Sequence, residues 1–357
     1  MNLLTITLNS IQAVEEKIIK KSQSRIDNLT KPIGSLGTLE EIATKIAGIT
    51  GKIYNKINKK NIIIMCADNG VVDEGVSTCP QKVTAVVTNN FTKGITGVCT
   101  LATNNGADIT IVDIGVKADL KNPKIINKKI RYGTSNIMKG PAMKREEAIK
   151  AIETGIEMVD SLVKEGYNLF GTGEMGIGNT TTSSAVLSVL SGLKSEVVVG
   201  KGSGLTEELY LNKIKVVKKS IDINSPDKND IIDVLAKVGG LDIAGLCGCY
   251  LGAAKNRVPI VIDGFIASVA ALCAYRLNPL VKDYMFPSHL SEEPGTIFVM
   301  RELNFEPILN LKMRLGEGSG CPLAFSIIEA ALYAMNNMAT LEEAEIMIDA
   351  FAYTGKE

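Results

Sequence analysis

The stretch MRLGEGSGCPLAF, residues 313–325, sets one carboxylate, Glu317, between two glycines in an otherwise apolar run. Flanking glycines remove covering side chains and let a ligand approach the backbone, and a carboxylate within hydrogen-bond reach of a substrate proton is what general-base catalysis needs. The same position also suits an acid favoured by the dipole of a helix starting near Cys321. Arg314 and that helix end would lower the Glu317 pKa, whereas desolvation would raise it. The residues by themselves leave that balance open.

A second chemical candidate is GTGEMGIGNTTT, residues 171–182. Gly176, Gly178, Asn179 and Thr180 could present backbone N–H groups and a hydroxyl to a phosphate where a strand turns into a helix. A tight structural turn would read the same way. VVVGKGSGL (197–205) is another glycine-rich turn, with Lys201 inside it and Lys213 about two turns into the helix that follows. The glycine spacing matches neither the dinucleotide fingerprint nor the Walker loop, which argues against an ordinary dehydrogenase.

The single histidine, His289, lies in FPSHLSEEPG beside Ser288 and Ser291. One histidine alone is more often structural than catalytic, no metal-ligand spacing accompanies it, and no G-x-S-x-G elbow supports hydrolysis. Asp68 and Glu74 in CADNGVVDEGVS end an apolar run, where turn-capping is the commoner role. Lys31, Pro32 and Gly34 read equally as loop punctuation or ligand contacts.

The elements that must position these groups alternate. Residues 8–27 and 38–50 carry apolar positions at helical spacing around the loop LTKPIGSLGTLEE. NIIIMCA (61–67), ADITIVDIG (107–115), NLFGTG (168–173) and VPIVIDG (258–264) are short apolar runs typical of strands buried on both faces. Helical patterns at 80–92, 95–105, 145–166, 179–192, 265–275 and 321–335 fall between and after them. Thr340 and Glu343 form a capping box opening a last helix. The pattern predicts an α/β fold with a mostly parallel sheet covered on both faces and ligand chemistry at the carboxyl ends of the strands.

Composition agrees with an enzyme for small molecules. The chain has 357 residues, 45% hydrophobic and 22% charged, with 39 basic and 39 acidic side chains. That size allows one large domain or a large and a smaller one. A zero net charge gives no field that would draw it onto nucleic acid or an anionic membrane. Seven scattered cysteines without a CxxC pair point to reduced thiols and a cytoplasmic location. No secretory leader pattern and no uncharged stretch of membrane-spanning length is present.

Taken together, LTKPIGSLGTLE, CADNGVVDEGVS, TKGITGVCTLA, IVDIGV, GTGEMGIGNTT, KVGGLDIAGL, PIVIDGFIASVAAL, PSHLSEEPG and MRLGEGSG run in order along nearly the whole chain. This series resembles the family of nicotinate-nucleotide:dimethylbenzimidazole phosphoribosyltransferases, which make the lower-ligand riboside in cobamide (vitamin B12) synthesis. The resemblance implies a Rossmann-like large domain over 59–304 and a smaller helical domain built from 1–58 and 305–357. It implies a dimer with composite active sites, nicotinate mononucleotide and an aromatic base as substrates, and neither cofactor nor metal.

By the same resemblance Glu317 is the catalytic base. Glu174, Gly176, Gly178, Asn179, Thr180, Gly202, Gly204, Lys213, Ser291 and Gly316 would hold the phosphoribosyl and nicotinate parts. Cys79, Pro80, Val87, Met175 and Leu315 would line the acceptor site. The chain departs from the family with Asn69 in place of a histidine, Cys79 of a serine, Val87 of a glutamine and Met175 of a leucine. These changes make the acceptor pocket less polar. They raise a second expectation: a phenol or cresol acceptor, as in the related two-subunit phenol-activating enzymes, with a homologous second chain as partner. A nucleotide-storing protein without turnover would need the glycine loops but would have no use for Glu317.

Overall fold

A computed structural model of the chain describes residues 2–202 and 204–345. Six strands form one sheet: β1 (Lys60–Ala67), β2 (Asp108–Gly115), β3 (Ile125–Asn127), β4 (Leu169–Met175), β5 (Ile260–Ile262) and β6 (Met285–Pro287). Their order is β3-β2-β1-β4-β5-β6 and every pairing is parallel. The four strands expected from apolar runs are all present. β3 and β6 were not legible, because three-residue edge strands are too short to show a period and β6 ends in Pro287.

Continuous burial along β1 and β4 follows from covering both faces. Met65 and Thr172 point to helix Leu241–Lys255, where Thr172 Oγ1 lies 2.9 Å from the Tyr250 hydroxyl. Ile62, Gly171 and Gly173 point the other way, onto residues 317–325. Helices Arg145–Lys164 and Leu241–Lys255 cross at glycines: a Cβ on Gly155 would stand 2.0 Å from Gly245 O, and one on Gly248 would stand 1.9 Å from Ile152 O. Only backbone-to-backbone approach fits there.

The expected helix over 8–27 is broken. Helices Leu3–Ser10 and Glu16–Asp27 flank a non-helical stretch at 11–15. Tertiary partners take that stretch's backbone groups: Gln12 O accepts from the Tyr284 hydroxyl, Ala13 O from Arg257, and the Glu15 N–H donates to Gly48 O at 2.9 Å. Leu3–Ser10 packs against Leu241–Lys255 and Arg145–Lys164, whereas Glu16–Asp27 and Gly320–Asn337 pack on Thr38–Thr50. The two ends of the chain join where the Thr30 N–H donates to Ala339 O and the Leu341 N–H to Asn28 O. Thr340 and Glu343 make both bonds of the capping box; residues 341–345 form turns, and the remainder of the expected last helix falls outside the described residues.

Candidate active site

A cleft of about 310 Å³ opens at the carboxyl ends of β1, β4, β5 and β6, across the point where strand order reverses. The end of β4 and the turn and helix start after it supply Glu174, Met175, Gly176, Gly178, Asn179 and Thr180 to its wall, and the segment following β1 supplies Ser77, Cys79 and Val87. Residues after β5 and β6 add Asp263, His289, Ser291 and Glu293, and Arg314 to Glu317 close the opposite side with Gly202 nearby.

Glu317 sits in this wall because the main chain around it lies directly on β4. A Cβ on Gly173 would meet Glu317 O at 2.3 Å and one on Gly171 would meet Cys321 Cβ at 2.6 Å, so the glycines of LFGTG make room for the Glu317 loop and the helix after it. Gly316, Glu317 and Gly318 all have positive φ, at 82°, 64° and 97°. For Glu317 that is an uncommon backbone, held here by its surroundings. Asp263, at the end of β5, fixes the loop by accepting from the Gly318 N–H at 3.0 Å and the Gly320 N–H at 2.7 Å.

The Glu317 side chain does not cap the helix that follows it. Its Oε2 accepts from the Val98 N–H at 3.2 Å, at the start of helix Gly97–Asn104. Burial raises its pKa above the ordinary carboxylate value, while the N–H groups of Val98 and Gly97 pull the other way. Of the effects left open by the residues, desolvation therefore wins, and the helix end that opposes it belongs to a distant segment.

Glu174 and Asp242 are two buried carboxyls sharing one amide. Asn179 Nδ2 donates to Glu174 Oε2 and, at 3.1 Å, to Asp242 Oδ2. Burial, then the charge of Asp242, push the Glu174 pKa up to about 8. Burial pushes Asp242 to about 6 and Asp263 to about 7. Burial therefore favours the protonated form of Glu174, which lines the cleft.

Lys213 is fully buried behind the second glycine turn, its Nζ donating to Thr180 Oγ1 at 2.9 Å and to Gly200 O at 3.1 Å. A Cβ on Gly202 would lie 3.4 Å from that Nζ. Burial lowers the Lys213 pKa to about 8, with the charge of Glu293 opposing the drop. Thr180 and Gly202, which line the cleft, are thus backed by one buried cation, a combination suited to a phosphate, and Ser291 lines the same cleft.

Of the site residues that the resemblance assigns, thirteen line the cleft: Glu174, Met175, Gly176, Gly178, Asn179, Thr180, Gly202, Ser291, Leu315, Gly316, Glu317, Cys79 and Val87, while Lys213 lies buried behind Thr180. Pro80 and Gly204 are exposed beyond its wall. Asn69 is completely buried, its Oδ1 accepting from Thr182, and it is not among the residues lining the cleft. Asp68 and Glu74 fasten loops: Asp68 Oδ2 accepts from the Lys117 N–H, and Glu74 Oε1 from Asn136. Lys31 pairs with Glu40 at 2.8 Å away from the cleft. His289 lines the cleft with its ring buried, Nδ1 being 3.0 Å from Ser288 Oγ, and burial lowers its pKa toward the neutral form.

Asp263, Asp242 and Glu293 were missed. Asp263 had one usable signal, since it ends the strand run VPIVIDG. Six cysteines are buried and Cys79, in the cleft wall, is half-buried. Among the described residues no cluster of His, Cys, Asp and Glu has metal-holding geometry, and no helix is long and apolar enough to cross a membrane.

A parallel α/β sheet whose strand ends carry a phosphate-ready turn opposite a half-buried carboxylate defines a group-transfer enzyme acting on a small phosphorylated substrate. A family model described as phosphoribosyltransferase matches residues 11–346. A nicotinate-nucleotide–dimethylbenzimidazole phosphoribosyltransferase of Clostridium tetani (strain Massachusetts / E88) is 61% identical over 98% of this chain and 97% of its own length. One of the same name from Clostridium acetobutylicum is 58% identical over 95% and 96%. The crystal structure of CobT from Thermus thermophilus superposes with a TM-score of 0.89 at 36% identity, covering 93% of this chain and 99% of that one. The chain belongs to this phosphoribosyltransferase family.

Proposed function

We propose that the chain moves the 5-phosphoribosyl group of nicotinate mononucleotide onto 5,6-dimethylbenzimidazole or a similar lower-ligand base, releasing nicotinate and giving the α-riboside phosphate for cobamide assembly. The observation that carries the reading is Glu317, an acid raised in pKa by burial and lining the same cleft as Thr180, which Lys213 backs. The donor's phosphate would lie at Thr180. An acceptor nitrogen attacks C1′ as the C1′–nicotinate bond breaks and its electron pair stays on the nicotinate nitrogen. Glu317 takes the proton that the acceptor nitrogen loses. Positioning and a fixed phosphate supply most of the required stabilisation. The printed names of the relatives support the same substrates.

Glu317→Gln tests this. Turnover is expected to fall by about two to four orders of magnitude with nucleotide affinity largely kept. Unchanged turnover would remove the mechanism.

A second acceptor class is favoured by one observation. Cys79, Val87 and Met175 all line the cleft and make that part of it apolar. A phenol or cresol fits such a wall with fewer unmet hydrogen bonds. Dimethylbenzimidazole and p-cresol supplied together with nicotinate mononucleotide decide between them, an exclusive benzimidazole product excluding the phenolic acceptor.

The smaller helical domain over 1–58 and 305–357 is likewise our proposal, supported by the packing of Glu16–Asp27 and Gly320–Asn337 on Thr38–Thr50. A dimer, of two copies or with a homologous chain, is proposed from family membership; Leu315, 56% exposed at the cleft, is available to a partner. The seven unpaired cysteines support work in the cytoplasm.

A further inference from the structure

We infer that the first turn of helix Gly97–Asn104 is the seat of the base, its Gly97 and Val98 N–H groups holding the Glu317 carboxylate in position. The inference rests on Glu317 being the base and assigns a role to TKGITGVCTLA, which the proposed reaction leaves unused.

The local cap of this helix is missing. Thr96 occupies the N-cap position with extended backbone, yet its hydroxyl makes no capping bond and points to Cys99 Sγ at 3.1 Å. An N-cap side chain ordinarily accepts from the second or third helical N–H. Here Val98, the second helical residue, donates to Glu317 Oε2 at 3.2 Å, across 219 positions of sequence. Glu317 thus serves as a cap supplied from the far end of the chain.

A Cβ on Gly97 would stand 3.4 Å from Glu317 Oε2, an ordinary contact, and 2.4 Å from Leu315 Cδ2, the end of a flexible, exposed side chain, so the seat rests on the backbone donors rather than on the space at position 97. The helix itself has no charged residue in its first or last turn, which leaves its backbone N–H groups as the source of the effect. Other charged groups around Glu317 are Asp263 from the end of β5, Glu174 from the end of β4 and Arg314 on its own loop, with His289 lining the same cleft.

Physically, the seat opposes desolvation. Backbone N–H groups and the helix dipole favour the carboxylate over the acid, keeping Glu317 ready to accept a proton in a site whose burial would otherwise neutralise it. They also fix the direction of the carboxylate toward the acceptor.

The test is Gly97→Pro, which deletes one donor at a position where proline suits a helix. It is measured alone and combined with Glu317→Gln, after thermal melts confirm folding. Turnover of Gly97→Pro should fall about 10- to 100-fold with the nucleotide KM nearly unchanged. The acid limb of its pH profile should move to higher pH, and the loss should vanish when Glu317 is already glutamine. A wild-type turnover, an unmoved acid limb, or a loss that persists in full beside Glu317→Gln overturns the seat. If instead Glu317→Gln alone leaves turnover intact, the base assignment itself has failed, which is a separate result.

Discussion

Lys213 donates to Thr180 Oγ1 at 2.9 Å, joining the two glycine-rich turns of the cleft through one buried cation. Among the described residues Lys213 is the lysine brought there, whereas Lys201, inside the second turn, is exposed and paired with Glu207. With its pKa lowered to about 8 by burial, Lys213 is charged at neutral pH and loses charge as pH rises through that value. Lys213→Met should therefore raise the KM for the phosphorylated donor about 10- to 100-fold, the usual cost of a lost charged hydrogen bond. The wild-type KM should climb above pH 8 while that of the variant stays flat. Steady-state kinetics across this range check both statements.

Glu174 predicts a stability profile of unusual sign. Its pKa is raised from 4.5 to about 8 in the folded chain, by burial first and by Asp242 second. The folded state thus holds the proton more tightly than the unfolded state. Its stabilising contribution is complete below the unfolded carboxyl pKa and is lost as pH rises through about 8. Melting temperature should fall with rising pH, and Glu174→Gln should flatten that fall, being more stable than wild type above pH 8 by on the order of a few kcal/mol. Parallel melting curves for the two proteins at all pH values would refute this.

Val87→Gln adds a hydrogen-bonding group to an apolar part of the cleft wall. The ratio of benzimidazole to phenolic product in mixed-acceptor assays should rise about 5- to 10-fold, the worth of about one hydrogen bond. An unchanged ratio would show that position 87 does not meet the acceptor.

Gly248→Ala tests the helix crossing beneath the sheet. The added methyl would stand 1.9 Å from Ile152 O, where backbone must move. A loss of about 3 kcal/mol or more is expected, read as a lower melting temperature with the catalytic pH profile unchanged.

The alternation of apolar runs and helical patterns was enough to give the sheet, because strands buried on both faces must be continuously apolar and the intervening amphipathic helices must cover them. It also marked most of the cleft, since glycine turns after NLFGTG and around Glu317 are local backbone requirements written in local residues. The break at 11–15 was hidden because its backbone partners, Tyr284, Arg257 and Gly48, come from elsewhere in the chain.

By itself the sequence determined that a parallel α/β sheet would carry glycine-rich turns and a bare glutamate, because period, turn chemistry and side-chain type act over a few residues. Tertiary structure alone decided what those groups are worth. That Glu317 caps Gly97–Asn104 rather than its own helix, that burial and then Asp242 raise the Glu174 pKa, and that Lys213 reaches Thr180 all depend on distances between remote segments. Burial and charge coupling are properties of three-dimensional neighbours, and no local pattern encodes them.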